Sequence, residues 1–126
     1  MSPEELARRV AEIADDKQAV EIVALDMRGL VSYTDFLVIC TARNERQAKG
    51  IHDEVYANLK ADGLLPDHVE GEREASWVLM DYLDCILHVF VPDERDYYRL
   101  ETLWGEAPRL ELDLAGAAPR AATGGG

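Results

Sequence analysis

This sequence has no long apolar run, which excludes a membrane-spanning helix. Apolar runs such as residues 36–40 and 85–87 are far shorter than the roughly 20 residues that a membrane helix needs. Glu4 and Glu5 stand where a secretory signal would carry positive charge, so export is not expected either. We therefore expect a cytoplasmic protein that does not bind membranes.

The chain has few cysteines and fewer basic than acidic residues, and each of these facts excludes some classes of function. Cys40 and Cys85 are the only cysteines, and each lies in an apolar run typical of a buried, reduced thiol. The 13 Lys and Arg residues stand against 25 Asp and Glu residues, which gives a formal net charge of -12. Binding to nucleic-acid phosphates needs clustered positive charge, so direct reading of RNA or DNA is not expected. An acidic domain is steered instead toward basic protein surfaces.

Motifs for metal binding and for common enzyme chemistry are also missing. The three histidines, His52, His68 and His88, form no pair at i, i+4 spacing and none lies near a cysteine pair. No nucleophile turn and no phosphate-binding glycine loop is present. The sharpest catalytic possibility is Asp81 and Asp84 with His88, because carboxylates at a hairpin end can hold a divalent ion. Such residues are more often structural, so we expect no enzyme activity, no cofactor and no metal site.

The hydrophobic residues, 48% of the 126 in the chain, follow helix and strand patterns that predict a single α/β domain. Ser2 and Glu5 form a capping box that opens a first helix, which should run to about Lys17. Residues 20–27 are rich in β-branched side chains and apolar on both faces, which favours a central strand. Residues 36–42 predict a second strand, buried on both sides.

A second helix and a hairpin follow. Asn44 can cap the helix and Gly63 can end it, and residues 64–71 are expected to form a loop. The buried stripe of the helix is predicted to contain Ala48, Ile51, Val55 and Leu59. Two strand-like runs, 77–82 and 85–91, are separated by only two residues, which predicts a tight antiparallel hairpin.

The two-residue loop determines which side chains share each face of the hairpin. The cross-strand pairs, counted outward from the loop, are Asp81 with Ile86, Leu79 with His88, and Trp77 with Phe90. One face should then be apolar and meet the core helices, through Val78, Met80, Tyr82, Cys85, Leu87 and Val89. The opposite face mixes aromatic side chains with an acid and an imidazole, a composition expected of an interface.

The character of the chain changes after the hairpin. Asp93 is expected to cap a last short helix that ends at Gly105. Beyond Pro108 the sequence is rich in Ala, Gly and Pro, with three alternating leucines that could form a short edge strand. We predict a domain over residues 1–108 and a flexible tail over 109–126, in which the small residues of 115–126 have nothing to bury.

Two stretches carry a family resemblance. Residues 34–51 read TDFLVICTARNERQAKGI, and residues 70–108 read EGEREASWVLMDYLDCILHVFVPDERDYYRLETLWGEAP. Both resemble the ribosomal silencing factors, also called the RsfS or Iojap family. The chain departs from that pattern at Asn44, where the family often has serine, and at Leu83, where it usually has glycine. A positive φ at Leu83 would strain the hairpin turn.

The resemblance implies a mixed β-sheet flanked by helices, similar to the nucleotidyltransferase fold, and a homodimer. It also implies a translational repressor that binds the large ribosomal subunit through universal ribosomal protein fourteen and sterically blocks association with the small subunit. The partner surface would include Trp77, Asp81, Tyr82 and His88, although the hairpin register turns Tyr82 inward. Two alternatives are a nucleotidyltransferase-like enzyme using Asp81 and Asp84, and a dimeric adaptor in another complex.

Overall fold

A five-stranded mixed sheet forms the centre of the fold in the computed structural model, which describes residues 1–119. The strands are β1 (Val20–Asp26), β2 (Phe36–Thr41), β3 (His68–Glu70), β4 (Trp77–Asp81) and β5 (Cys85–Phe90), and the helices are α1 (Pro3–Asp16), α2 (Glu45–Ala61), α3 (Pro92–Tyr98) and α4 (Leu100–Leu103). The strand order is β1-β2-β5-β4-β3. Only β2 and β5 pair in parallel; the other three pairs are antiparallel. The predicted mixed sheet flanked by helices in a single domain is confirmed, whereas the likeness to nucleotidyltransferases stays a prediction.

Local sequence signals determine both long helices. The Ser2 hydroxyl oxygen accepts a hydrogen bond from the Glu5 N–H at 3.1 Å, and the Ser2 N–H donates to Glu5 Oε1 at 2.8 Å, which completes the predicted capping box. Asn44 Oδ1 accepts from the Gln47 N–H at 2.9 Å and caps α2 as predicted. Gly63 follows the end of α2 with φ +86°, a conformation that costs glycine little.

Helices α1 and α2 cover one face of the sheet and enclose the main core. The predicted α2 stripe and the predicted apolar face of the hairpin are both buried there. Cys40 and Cys85 are buried free thiols, as expected, and burial raises the pKa of Cys40 to about 12. We call this face of the sheet the helix face, and the opposite one the second face.

Strand β1 lies at an edge of the sheet, so the prediction of a central strand is wrong. Its only strand neighbour is β2, and its other edge is covered by residues 108–119, which we call the strap. Four backbone hydrogen bonds join them: Asp26 N–H to Pro108 O at 2.7 Å, Leu110 N–H to Ala24 O at 2.9 Å, Ile22 N–H to Gly116 O at 2.9 Å, and Ala118 N–H to Ile22 O at 2.9 Å. Burial from both faces and from the strap explains why β1 is as apolar as a central strand.

The strap is packed on the fold, whereas residues 109–126 were expected to form a flexible tail. Arg8 donates a hydrogen bond to the Glu111 carbonyl at 2.8 Å, and the Gly116 N–H donates to Asp15 Oδ1 at 2.7 Å. The strap also packs three side chains against the main core: Leu110, Leu112 and Leu114. The boundary at residue 108 stays a prediction, and residues 120–126 of the predicted tail lie outside the described part of the chain.

The segment after the hairpin forms two short helices, where the sequence predicted one. Val91 precedes α3 and Pro92 occupies its first turn, so the helix begins one residue before the predicted cap at Asp93. Arg99 then adopts a left-handed conformation with φ 48° and separates α3 from α4. The predicted loop over 64–71 also contains a short strand, because residues 68–70 pair with β4.

Candidate functional site

The hairpin of β4 and β5 carries the candidate site, and its predicted register is confirmed. Trp77 lies opposite Phe90, Leu79 opposite His88, and Asp81 opposite Ile86. The turn between the strands places Leu83 at φ 70°, the conformation that the family's usual glycine accepts more easily. Asp81 Oδ1 accepts a hydrogen bond from the Leu83 N–H at 2.7 Å and thereby holds the turn.

Tyr82 lies on the helix face, as the register predicted. Its side chain is 4% exposed within the main core, and within residues 1–119 its hydroxyl oxygen is a buried polar atom without a hydrogen-bond partner. Burial raises the pKa of this phenol to about 12. Of the four residues expected on the partner surface, Tyr82 is therefore the one that the second face does not present.

Aromatic rings cluster on the second face around Trp77. The centroid of its ring lies 4.3 Å from that of Tyr98 and 5.0 Å from that of Phe90, so Trp77 is in close contact with both rings. Leu100 and Trp104, which belong to α4 and the turn after it, pack against the same cluster. Trp77 keeps part of its surface exposed, so the face is only partly covered by the chain itself.

His88 is almost completely buried in this cluster, with 8% of its surface exposed. The Trp77 indole N–H donates a hydrogen bond to His88 Nδ1 at 2.9 Å. Desolvation lowers the pKa of the imidazole to about 4, so the ring is neutral at physiological pH. The diagonal Asp81–His88 pair suggested by the register is not a hydrogen-bonded pair, because Asp81 turns to the loop and His88 bonds to Trp77.

A groove of about 280 Å³ runs over the second face beside His88. Its lining is mainly apolar and comes from β2, β4, β5, α4 and the connecting segments: Tyr33, Leu37, Leu79, Ile86, His88, Leu100, Leu103 and Trp104. A groove of this kind suits a protruding side chain of another molecule better than a whole small ligand.

Arg95 is a structural residue of the site that sequence reasoning missed. It is 5% exposed and donates hydrogen bonds to the Glu21 carbonyl at 2.8 Å, to the Thr41 hydroxyl at 3.0 Å and to Glu101 Oε1 at 3.1 Å. These contacts fasten α3 and α4 to the ends of β1 and β2. A charged residue in a helix rich in Asp and Glu is normally exposed, so although Arg95 lies in the stretch that carries the family resemblance, its burial was not expected.

Within residues 1–119, no group of three or more His, Cys, Asp or Glu side chains is placed to hold a metal ion. None of the helices in this part of the chain combines the length and apolar character that a membrane crossing requires.

Comparison with known proteins gives a consistent result. The family described as "Ribosomal silencing factor during starvation" matches residues 1–124. A ribosomal silencing factor from Halalkalibacterium halodurans is 42% identical over 113 residues, which cover 90% of this chain and 97% of that protein. A crystal structure from Chromobacterium violaceum is similar with a TM-score of 0.81 and 30% identity, covering 96% of this chain and 100% of the other.

A more distant similarity links the chain to a mouse protein named "Mitochondrial assembly of ribosomal large subunit protein 1". The two are 26% identical over 91 residues, which cover 70% of this chain and 40% of the mouse protein.

Proposed function

The chain belongs to the family of ribosomal silencing factors, and from this premise we propose that it represses translation by binding the large ribosomal subunit. The contact is universal ribosomal protein fourteen, and the bound chain occupies space that the small subunit needs, so the two subunits cannot join. The mechanism is steric and involves no catalysis. The observation that carries the proposal is the family match, which spans both sequence stretches described above.

The charge of the chain supports this choice of target. A body with a formal net charge of -12 is repelled by ribosomal RNA and attracted to a basic ribosomal protein. Charge of this kind accelerates encounter with one protein patch among many RNA-covered surfaces, and also disfavours wrong contacts.

The second face supports the choice of surface. Trp77, Asp81 and His88 share this face of the hairpin, and Trp77 offers the type of aromatic side chain that dominates binding energy in protein interfaces. Tyr82 contributes indirectly, because its burial on the helix face anchors the hairpin that carries the other three residues. The mouse relative's name refers to the large ribosomal subunit, which agrees with the proposed target.

We also propose that the chain forms a homodimer and acts in the cytoplasm. Several large apolar side chains near α4 are exposed, among them Leu30, Tyr33 and Leu103. Exposed apolar groups of this size are available for contact with a second copy. Sedimentation equilibrium tests the dimer directly, and a mass of one chain at micromolar concentration would contradict it.

A subunit-joining assay tests the function. Purified small and large subunits are mixed with a saturating amount of the chain, and joining is followed by light scattering and by sucrose-gradient sedimentation. We expect the chain to sediment with large subunits and to suppress joining. Normal joining in the presence of a saturating amount of the chain, or cosedimentation with small subunits alone, contradicts the proposal.

A pair of variants tests the surface. Trp77→Ala should weaken binding to large subunits by more than about 1 kcal/mol, because it removes a central aromatic anchor. Tyr56→Ala removes an aromatic ring from α2 on the opposite side of the sheet and should leave the affinity unchanged. Equal effects of the two substitutions would move the contact surface elsewhere.

A further inference from the structure

The hydrogen bond from Trp77 determines the proton position on His88. An indole N–H can only donate, so His88 Nδ1, at 2.9 Å from it, must be the acceptor. A neutral imidazole with an accepting Nδ1 carries its proton on Nε2. The Nε2–H group is then a donor with a fixed position, held by the same bond that orients the ring.

This donor has no hydrogen-bond partner in the part of the chain that the structure describes. Among residues 1–119, the bond with Trp77 is the hydrogen bond that the His88 ring makes. The buried side-chain polar atoms without a partner in this range are Tyr82 Oη and Glu101 Oε2. Nε2 of His88 is not one of them, so this atom keeps some contact with solvent, and His88 is among the residues that line the groove.

The side chains of the groove select what can occupy it. The other polar groups of the lining are the indole N–H of Trp104, which also only donates, and the phenol of Tyr33. Within residues 1–119 no Lys or Arg lines the groove, so a carboxylate would lose its hydration there without a counter-ion. The net charge of -12 disfavours an anion further. The fitting acceptor is therefore a neutral carbonyl oxygen next to an apolar group, presented by a basic polypeptide.

We propose that His88 is a specificity-determining residue, whose Nε2–H donates a hydrogen bond to a neutral carbonyl oxygen of the partner protein while an apolar side chain beside that oxygen fills the groove. The inference rests on the proposed function, since the partner is the ribosomal protein on the large subunit. Trp77 acts partly through His88, because its indole holds the imidazole in the donating tautomer.

Two substitutions at His88 separate the donor from the shape of the ring. In His88→Gln the amide oxygen can accept from Trp77 and the amide nitrogen can donate into the groove. His88→Leu introduces an apolar side chain of similar size that can neither accept the hydrogen bond from Trp77 nor donate one into the groove. We expect His88→Leu to weaken binding to purified large subunits about tenfold or more, because a buried carbonyl is left unpaired. His88→Gln should stay within about threefold of the unsubstituted chain.

The matched control is His52→Leu, the same chemical change on α2 at the other side of the sheet, and it should bind normally. Binding of His88→Leu with unchanged affinity, or equal loss in the Leu and Gln variants, overturns the inference and leaves the proposed function standing. No binding by the unsubstituted chain overturns both.

A spectroscopic measurement on the unsubstituted chain covers the case in which a variant fails to fold. Nitrogen-15 spectra of the three imidazoles at pH 7 should show His88 as the Nε2–H tautomer. Addition of recombinant universal ribosomal protein fourteen should move the Nε2–H proton downfield and slow its exchange with water, with no such change at His52. An Nδ1–H tautomer in the free chain, or an unchanged Nε2–H signal in the complex, overturns the inference.

Discussion

Mild acid should destabilise this protein by an amount that can be worked out for His88. The folded protein holds the pKa of this imidazole at about 4, against an ordinary value of 6.5, because burial disfavours the charged ring. Below pH 6.5 the His88 imidazole takes up a proton in the unfolded chain but stays neutral in the folded chain until the pH approaches 4. The free energy of unfolding therefore falls as the pH drops from 6.5 toward 4 and is unaffected by this group above pH 7.

The magnitude follows from the two pKa values. Their difference is 6.5 − 4 = 2.5, and each unit corresponds to 1.36 kcal/mol, so the full effect is roughly 3 kcal/mol. At pH 4.5 most of it is present, or about 2.5 kcal/mol. A loss of this size is a large part of the roughly 5–15 kcal/mol by which a domain is stable.

Urea unfolding followed by circular dichroism, at pH 7.5 and pH 4.5, measures the effect. The comparison uses the unsubstituted chain and His88→Leu, which has no group to titrate at this position. Asp26 and Glu5 also lose stabilising interactions as the pH falls, since hydrogen bonds from Arg28 and from the Ser2 backbone lower their pKa values, but they do so in both proteins. Between the two pH values the unsubstituted chain should lose about 2.5 kcal/mol more. Equal losses would refute the reasoning.

One truncation and two substitutions give three further predictions. Ending the chain after residue 107 removes the strap and should lower the free energy of unfolding by roughly 3 kcal/mol, about 1 for each half-buried leucine. The exposed edge of β1 should also cause aggregation, seen as concentration-dependent light scattering. Removing only residues 120–126 should have neither effect. Leu83→Gly should raise the free energy of unfolding, measured by thermal denaturation, by about 0.5–1 kcal/mol. Glycine relieves about 1–2 kcal/mol of backbone strain at this left-handed position, which exceeds the cost of the greater entropy of the unfolded chain. A lower free energy of unfolding would show that the leucine is not strained. Arg95→Met should lower the free energy of unfolding by about 2 kcal/mol, because it leaves the carboxylate of the partly buried Glu101 without its partner. A second change, Glu101→Leu, should restore most of the loss, and no recovery in urea unfolding would contradict this account.

Elements whose signals are local in sequence could be predicted well. The caps of α1 and α2 depend on residues three apart in the chain, and both form as expected. The hairpin register follows from a two-residue loop and alternation, so the faces of Trp77, Tyr82 and His88 were predictable before the structure. The Trp77–His88 bond was within reach as well, because the register makes these two residues diagonal neighbours on one face.

Features that depend on distant parts of the chain were not predictable. The apolar pattern of β1 indicates that both of its faces are buried, but it does not indicate which segment pairs with each of its edges. The strap leucines alternate as an edge strand would, but their partner is β1, more than eighty residues earlier in the sequence. Arg99 shows a third limit, because arginine rarely adopts a left-handed conformation and nothing in its residue type marks the break between α3 and α4.

The two sides of the sheet are built differently, and this has a consequence for how the protein can evolve. The long helices α1 and α2 enclose a continuous core on one side, whereas the short helices α3 and α4 and the turn after them cover the other side through few contacts and the Arg95 fastening. Exposed residues of the second face can therefore be substituted without unfolding the core under α1 and α2. Such substitutions among the exposed residues can accumulate, while the core under α1 and α2 supplies the stability that they cost.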